Sequence, residues 1–203
     1  MSYTVESLDE LAALYGEPLA TSVNKESPVI NAAYQQLLEA APFVAVASSG
    51  PGGLDCSPRG DGPGFVQIAD ERTLLLPDRR GNNRLDTLRN LVEDPRVALL
   101  FLIPGVHLSL RVNGRAALST DPALLARFEV NGKTPTTVMV VSVDTLYFQC
   151  ARALKRAQLW SLSSQRDPAE LPSAGTLAQS VMSDFDGAGY DASLEARQAR
   201  TLY

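Results

Sequence analysis

Phe43-Val44-Ala45-Val46-Ala47-Ser48-Ser49-Gly50-Pro51-Gly52-Gly53-Leu54-Asp55-Cys56-Ser57-Pro58 is the stretch on which the fold turns. Residues 43–47 form a short β-type run of aromatic and branched side chains. They halt at a Ser-Gly-Pro-Gly-Gly segment, a strong turn signal. Residues 54–58 return as a second strand, and another glycine-rich turn, Gly60-Asp61-Gly62-Pro63-Gly64, follows. Residues 65–69 and 73–76 then read as a hairpin around Asp70-Glu71-Arg72. Further strands are expected at 97–103, 108–118, 138–143 and 146–149. Six or so strands with short turns and few intervening helices imply a mainly β fold with peripheral helices, a closed or partly closed antiparallel barrel. The alternating rhythm of a doubly wound sheet is absent.

Helices flank these strands. Ser7 is placed to cap a helix with Glu10 three residues on, ahead of Leu11 and Leu14. A second helix is expected after Ser27-Pro28, with Ile30, Tyr34, Leu37 and Leu38 at helical spacing and a stop at Pro42. Leu85, Leu88, Leu91 and Val92 share one face of a third, which Asp94-Pro95 ends. Asp121-Pro122 opens a fourth, with Asp as cap and Pro at the first helical position. Residues 161–185 read as an irregular connection to a last helix near 193–203. The expected organisation is a helical extension over 1–42, a barrel domain over 43–160, and a C-terminal segment over 161–203 packed on that same domain.

Composition narrows the class. The chain has 203 residues, 45% of them hydrophobic and 20% charged, as an ordinary globular protein does. Its net charge of −5 argues against general nucleic-acid binding, which needs a basic face. Two cysteines, Cys56 and Cys150, and one histidine, His107, cannot supply a zinc site. Reduced thiols in a cytoplasmic protein are the expectation. The N-terminus carries acidic residues and no basic segment leading into an apolar run, so no signal peptide is expected. The longest apolar stretch, 97–106, is broken by Pro104-Gly105, short of the roughly 20 residues a membrane span needs.

Three clusters carry candidate chemistry. In Leu74-Leu75-Leu76-Pro77-Asp78-Arg79-Arg80-Gly81-Asn82-Asn83-Arg84 a strand runs into a turn with three arginines, and a helix follows. A helix N-terminus with arginines suits a phosphate monoester, because both present N–H donors to anionic oxygens. The same composition also suits a solvated turn with Asn83 as helix cap. In Asp55-Cys56-Ser57-Pro58-Arg59-Gly60-Asp61, Ser57 and Arg59 alternate and so point the same way. If that strand lies beside 74–77, both positive clusters meet at one anion; otherwise Arg59 is ordinary surface. The third cluster runs from Phe148 to Trp160 and holds Arg152, Lys155 and Arg156. Its cations either face solvent while Trp160 packs in the core, or Arg156 and Trp160 reach a planar ligand by charge and stacking.

Taken in order, these segments resemble the pyridoxamine 5′-phosphate oxidase-like FMN-binding proteins. The resemblance rests on Ser57-Pro58-Arg59-Gly60-Asp61, the Pro77-to-Asn90 turn, and Asp94-Pro95-Arg96-Val97. It also rests on Leu110-Arg111-Val112-Asn113-Gly114-Arg115-Ala116, and on Cys150 with Arg156 and Leu159-Trp160. It covers about residues 30–160 and, weakly, the terminal Leu202-Tyr203. It implies a six-stranded split β-barrel and a homodimer with two FMN sites across its interface. By position it places Ser57 and Arg59 beside the flavin, and Pro77, Asp78 and Arg79 near the isoalloxazine and ribityl chain. Asn83 and Arg84 stand where family members bind phosphate with Arg-Lys, so Asn83 departs from the pattern and Arg59 or Arg79 would supply the missing charge. Ser109 and Arg111 precede the segment where oxidases place a cofactor-contacting glutamine, and Arg156 and Trp160 would come from the partner subunit. The histidine and arginine that hold substrate phosphate in true pyridoxamine-phosphate oxidases have no counterpart near the C-terminus, so that activity is not expected.

The leading expectation is an FMN-dependent oxidoreductase acting on a small substrate. The alternatives are a carrier of flavin or haem without turnover, for which His107 is the one candidate axial histidine, and a dimeric module without cofactor.

Overall fold

The computed structural model describes residues 3–203. β1 (Phe43–Gly50) buries alternate residues Val44, Val46 and Ser48 and turns tightly into β2 (Gly53–Gly60), with Gly50 opposite Gly53. Gly53 adopts φ 110°, a conformation that glycine reaches without strain. β3 (Gln67–Asp70) and β4 (Thr73–Asp78) form the next hairpin, and β5 (Arg96–Leu102), β6 (Ser109–Ser119) and β7 (Thr137–Gln149) complete the set. All seven pair antiparallel in one sheet, ordered β2-β1-β5-β6-β7-β4-β3, with β2 and β3 as its two edges. Pro58 lies on an edge strand, and Pro77 pairs with Val138 beyond the last residue that β3 pairs, so neither interrupts a two-sided ladder.

The sheet curls around a single main core. Val44 and Val46 of β1 share it with Leu74 and Leu76 of β4, although β5, β6 and β7 lie between those strands. Phe101, Leu110, Val112, Met139, Val141 and Leu146 fill the middle. Two helices plug the ends: α3 (Ala32–Ala40), after α1 (Leu8–Tyr15) and α2 (Ala20–Val23), and then α4 (Asp86–Glu93). α3 contributes Tyr34 and Leu38, and α4 contributes Leu88 and Leu91. The result is an open antiparallel barrel, split between its edges.

The strand count is seven rather than six, and the expected pieces 138–143 and 146–149 are one strand. The cause is a bulge: Asn113 pairs with Thr145 but Gly114 pairs with Val143, leaving Asp144 extra. One inserted residue flips the parity of the buried face, which runs 139, 141, 143 and resumes at 146. A periodicity of two therefore breaks in the sequence where the strand continues in space. Gly114 is required there, since a Cβ would collide with the Ser142 carbonyl.

Several helix boundaries also differ from expectation. Asn31, not the region of Pro28, caps α3, accepting from the N–H groups of Ala33 and Tyr34 at 3.0 Å. Leu85 is left-handed at φ 62° and precedes α4, whose buried face is Thr87, Leu88, Asn90 and Leu91; Val92 faces solvent. Asn90 donates to Ser48 Oγ and to the Gly53 carbonyl, both at 3.2 Å, tying α4 to the β1–β2 turn. α5 (Pro122–Ala126) begins at Asp121 as expected, and α6 (Arg152–Arg156) follows β7. The C-terminal segment holds two helices where one was expected, α7 (Ala174–Val181) and α8 (Gly187–Thr201). They approach so closely at Gly175 and Gly187 that a Cβ on Gly175 would strike the Gly187 carbonyl.

Gly114→Ala should lower unfolding stability by about 1–3 kcal/mol, the usual effect of forcing atoms into a packed site. Gly52→Ala, where a Cβ meets nothing within 4 Å, should stay within about 0.5 kcal/mol of the parent. Urea midpoints compare the two. Equal shifts would mean that the Ser142 contact does not set the glycine requirement.

Candidate functional site

The curl brings the end of β2 against the end of β4, with four strands between them in the sheet order. Arg59 Nε lies 3.6 Å from Asp78 Oδ1, and Arg79 Nε donates to Asp61 Oδ2 at 3.0 Å. The four side chains retain only 11–21% exposure. Burial pushes the Asp78 carboxyl above its ordinary value, and the opposing pull of Arg59 does not cancel it. Burial pushes Asp61 up as well, but the Tyr203 hydroxyl, the Gly62 N–H and Arg79 outweigh it and hold the carboxyl low.

A hydrogen-bonded chain continues along the inward face of β2. Arg59 Nη2 donates to Thr87 Oγ1 at 3.3 Å, and Thr87 donates onward to Asp55. Ser57 Oγ donates to both Asp55 oxygens at 2.9 and 3.0 Å. Asp55, Ser57 and Arg59 share that face because alternate strand residues must.

The loop after β4 forms a second wall. Asn83 is left-handed at φ 58°, and the Asn82 side chain accepts from the Arg84 N–H at 3.1 Å. Arg84 is 80% exposed and donates to Asp86 at 2.5 Å, which raises its pKa further. The third wall comes from a tight turn in which Asn131 and Gly132 take φ 53° and 74°, with Val130 and Lys133 exchanging backbone hydrogen bonds. It presents Lys133 and feeds Thr134 to Thr137 into β7, where Thr137 pairs with Asp78. Lys133 Nζ donates to the Tyr203 main-chain oxygen at 2.7 Å. The Tyr203 hydroxyl donates to Asp61 Oδ1 at 2.6 Å, and the Arg79 guanidinium sits 5.6 Å from its ring centre. Its bond to Asp61 raises the Tyr203 pKa.

These walls enclose a cleft of about 1310 Å³. Arg59, Arg79, Arg80, Arg84 and Lys133 line it together with the carboxylates of Asp55, Asp78 and Asp86. Cations therefore outnumber anions in a chain that is acidic overall. Thr137 Oγ1, on the lining, is buried without a hydrogen-bond partner among the described residues.

Of the residues singled out in the sequence, Ser57, Arg59, Asp78, Arg79, Asn83 and Arg84 line this one cleft. Pro77 is buried in β4 just before it. β2 and β4 are not sheet neighbours, so the curl rather than strand pairing brings the two arginine clusters together. Arg79 is turned back onto Asp61, and Leu85 rather than Asn83 precedes α4. Ser109 and Arg111 are not on the cleft lining: Ser109 pairs with Gln149, and Arg111 sits 5.3 Å from the Tyr147 ring centre. Arg156 is exposed on α6, and Trp160 Nε1 donates to the Val106 carbonyl at 2.8 Å. Within one chain these last four do not reach the cleft. Sequence reasoning missed Asp55, Thr87, Lys133 and the Thr134–Thr137 segment. Asn131-Gly132, a strong tight-turn signal, marked the hairpin that delivers Lys133.

The fold defines an antiparallel split-barrel protein whose split forms a cation-rich cleft. The family model for pyridoxamine 5′-phosphate oxidase matches residues 30–150, and the chain belongs to that family. A comparison with curated proteins found no match. Similar solved structures include HupZ of Group A Streptococcus, at 16% identity and TM-score 0.46 over 57% of this chain and 93% of that one. General Stress Protein 26 of Bacillus anthracis matches at 14% identity and TM-score 0.43, covering 56% and 88%. The FAD binding protein of Mycobacterium smegmatis matches at 17% identity and TM-score 0.42, covering 60% and 95%. At these values the family assignment rests on the 30–150 match.

Tyr203→Phe tests the tail contact. Asp61 is held low in the folded chain, so its contribution to stability is present above the unfolded carboxylate pKa and is lost as pH falls through the folded value. Without the hydroxyl the folded pKa should rise, so the Asp61 carboxyl carbon should titrate at higher pH by NMR and acidification should remove less stability. An unchanged titration would place Tyr203 out of contact with Asp61.

Proposed function

We propose that the cleft binds FMN and that the protein is an FMN-dependent oxidoreductase acting on a small substrate as a homodimer. The observation that carries this reading is the distribution of charge in the cleft. Arg59 and Arg79 are matched by largely buried carboxylates, Asp78 and Asp61, at the back, whereas Arg84 pairs with the more exposed Asp86, Lys133 donates to the Tyr203 main-chain oxygen, and Arg80 forms no ion pair among the described residues. A phosphate monoester competes well for such donors, because it accepts charge-assisted bonds from several at once. Arg84 would exchange its exposed partner Asp86 for the phosphate. The Thr137 hydroxyl, otherwise without a partner, is available to the ribityl chain, and Leu54, Pro58 and Leu88 offer apolar surface to the ring system. The residues present therefore fit the group.

When bound, a flavin supplies hydride or single-electron transfer. The chain's own part is to place the ligand, to fix its charge and to exclude water along one side. At about 1310 Å³ the cleft is larger than the roughly 300–1,000 Å³ of a typical ligand pocket, which leaves room for a further wall. In the dimer reading, Arg156 and Trp160 of the partner subunit supply the missing wall, and C₂ symmetry makes two equal sites.

FMN should bind more tightly than riboflavin, which lacks the phosphate, and more tightly than FAD, since no Gly-x-Gly-x-x-Gly turn serves a pyrophosphate. Arg84→Ala should weaken FMN by about 1.5–3 kcal/mol, or about one to two decades, through loss of a charge-assisted bond, and Arg59→Ala should weaken it too, by leaving Asp78 unpaired behind the anion. Flavin fluorescence quenching measures all four. Equal affinity for FMN and riboflavin would remove the phosphate assignment. Exchanging subunits between Arg84→Ala and Arg156→Ala chains should restore about one normal site per heterodimer, because one site then carries both lesions and the other neither. Verified heterodimers without a normal site would contradict a shared site. Anaerobic bleaching by NADH or NADPH separates turnover from simple carriage.

A further inference from the structure

The N-terminal arm has an apolar face that its own chain does not cover. In α1, Leu8, Leu11, Ala12 and Tyr15 stand at i, i+3, i+4 and i+7, one helical stripe, and none is buried. Leu14, Leu19 and Val23 are exposed too. The helix is nonetheless well formed: Ser7 Oγ accepts from the Glu10 N–H at 3.1 Å, and the Gly16 N–H closes on the Ala12 carbonyl at 2.9 Å. An eight-residue helix has little stability alone in water, so such a stripe calls for a surface. The arm is also acidic, with Asp9, Glu10 and Glu17, and Lys25 is its first cation.

The foot of the arm is fixed. Lys25 Nζ lies 4.7 Å from the Phe148 ring centre, its carbonyl accepts from the Tyr34 hydroxyl at 2.9 Å, and Ser27 bridges to Leu146. That foot stands beside the end of β7. Immediately beyond β7 the surface has the opposite character: Arg152, Lys155 and Arg166 are exposed around the exposed apolar side chains of Leu159 and Leu162. No side chain of α1 or α2 is buried on it within the chain, although arm and segment both start from the end of β7. In a C₂ dimer that brings the two β7 ends together, each acidic apolar arm meets the other subunit's basic apolar segment, and the contact occurs twice.

We propose that residues 3–24 dock on residues 152–166 of a second copy of this chain. The inference rests on the homodimer of the preceding reading and adds an arm exchange to it. Arm and segment are both apolar and carry opposite charge, so the exchanged arms clasp the pair.

Two measurements test it. Leu14→Cys in a Cys56→Ser background leaves two thiols per chain, the introduced one and Cys150, exposed just ahead of α6; chains that lack either thiol control for links between like positions and should not be joined. A short bismaleimide should join two chains, seen as a doubled mass on a denaturing gel; a link within a single chain would overturn the proposal. Leu11→Glu should raise the dimer dissociation constant by about two to four decades, the effect of losing one buried leucine at each of the two symmetric contacts. Light scattering across a dilution series reads this, and Lys155→Glu should weaken the dimer in the same direction. A wild-type monomer would remove the dimer and the arm exchange together. A wild-type dimer that Leu11→Glu leaves equally tight would remove the arm exchange alone.

Discussion

Arg59 and Asp61 stand two residues apart at the end of β2, and Asp78 and Arg79 meet them from β4 with the charges in reverse order. Each pair needs the other strand end in place, so together they fix where the two halves of the sheet meet. Because all four side chains are largely buried, water and salt screen the attraction less than at an open surface. The site inherits its shape from this closure. The β2 face carrying Asp55 and Ser57, the loop holding Arg84 and the turn presenting Lys133 converge because β2 and β4 converge.

The closure also divides the labour among the cations. Had Arg59 and Arg79 stood free, the cleft would have been strongly positive and indifferent to the geometry of its ligand. Paired with Asp78 and Asp61, they form the back wall, and in the proposed reading attraction falls to Arg80, Arg84 and Lys133. Tyr203 joins the two regions, touching Asp61 and Arg79 through its ring and hydroxyl and Lys133 through its backbone.

Local features were legible in the sequence wherever local chemistry decides the outcome. The Ser-Gly-Pro-Gly-Gly turn, the Ser7 and Asp121 caps and the run into Pro77-Asp78 all lie where the residue types place them. The bulge at Asp144 was hidden because its signature is a break in periodicity, which reads as a gap between strands. Val92 follows the apolar spacing of α4 yet faces solvent, since hydrophobicity alone does not say which side a neighbour covers. The site was half legible. Ser57, Arg59, Asp78, Arg79, Asn83 and Arg84 announced themselves as polar clusters, but their union across the split depends on curl, which no local pattern encodes. Lys133 escaped notice because its role depends on β7 pairing with β4, a contact about 60 residues apart in sequence.

The central claim is that the split between β2 and β4 is a phosphate-accepting flavin cleft. A crystal structure of the protein grown with FMN tests it most directly. The phosphate should lie within hydrogen-bonding distance of Arg84, with the Arg59–Asp78 and Arg79–Asp61 pairs intact behind it. A flavin bound elsewhere, or a phosphate that touches none of Arg80, Arg84 and Lys133, would contradict the claim.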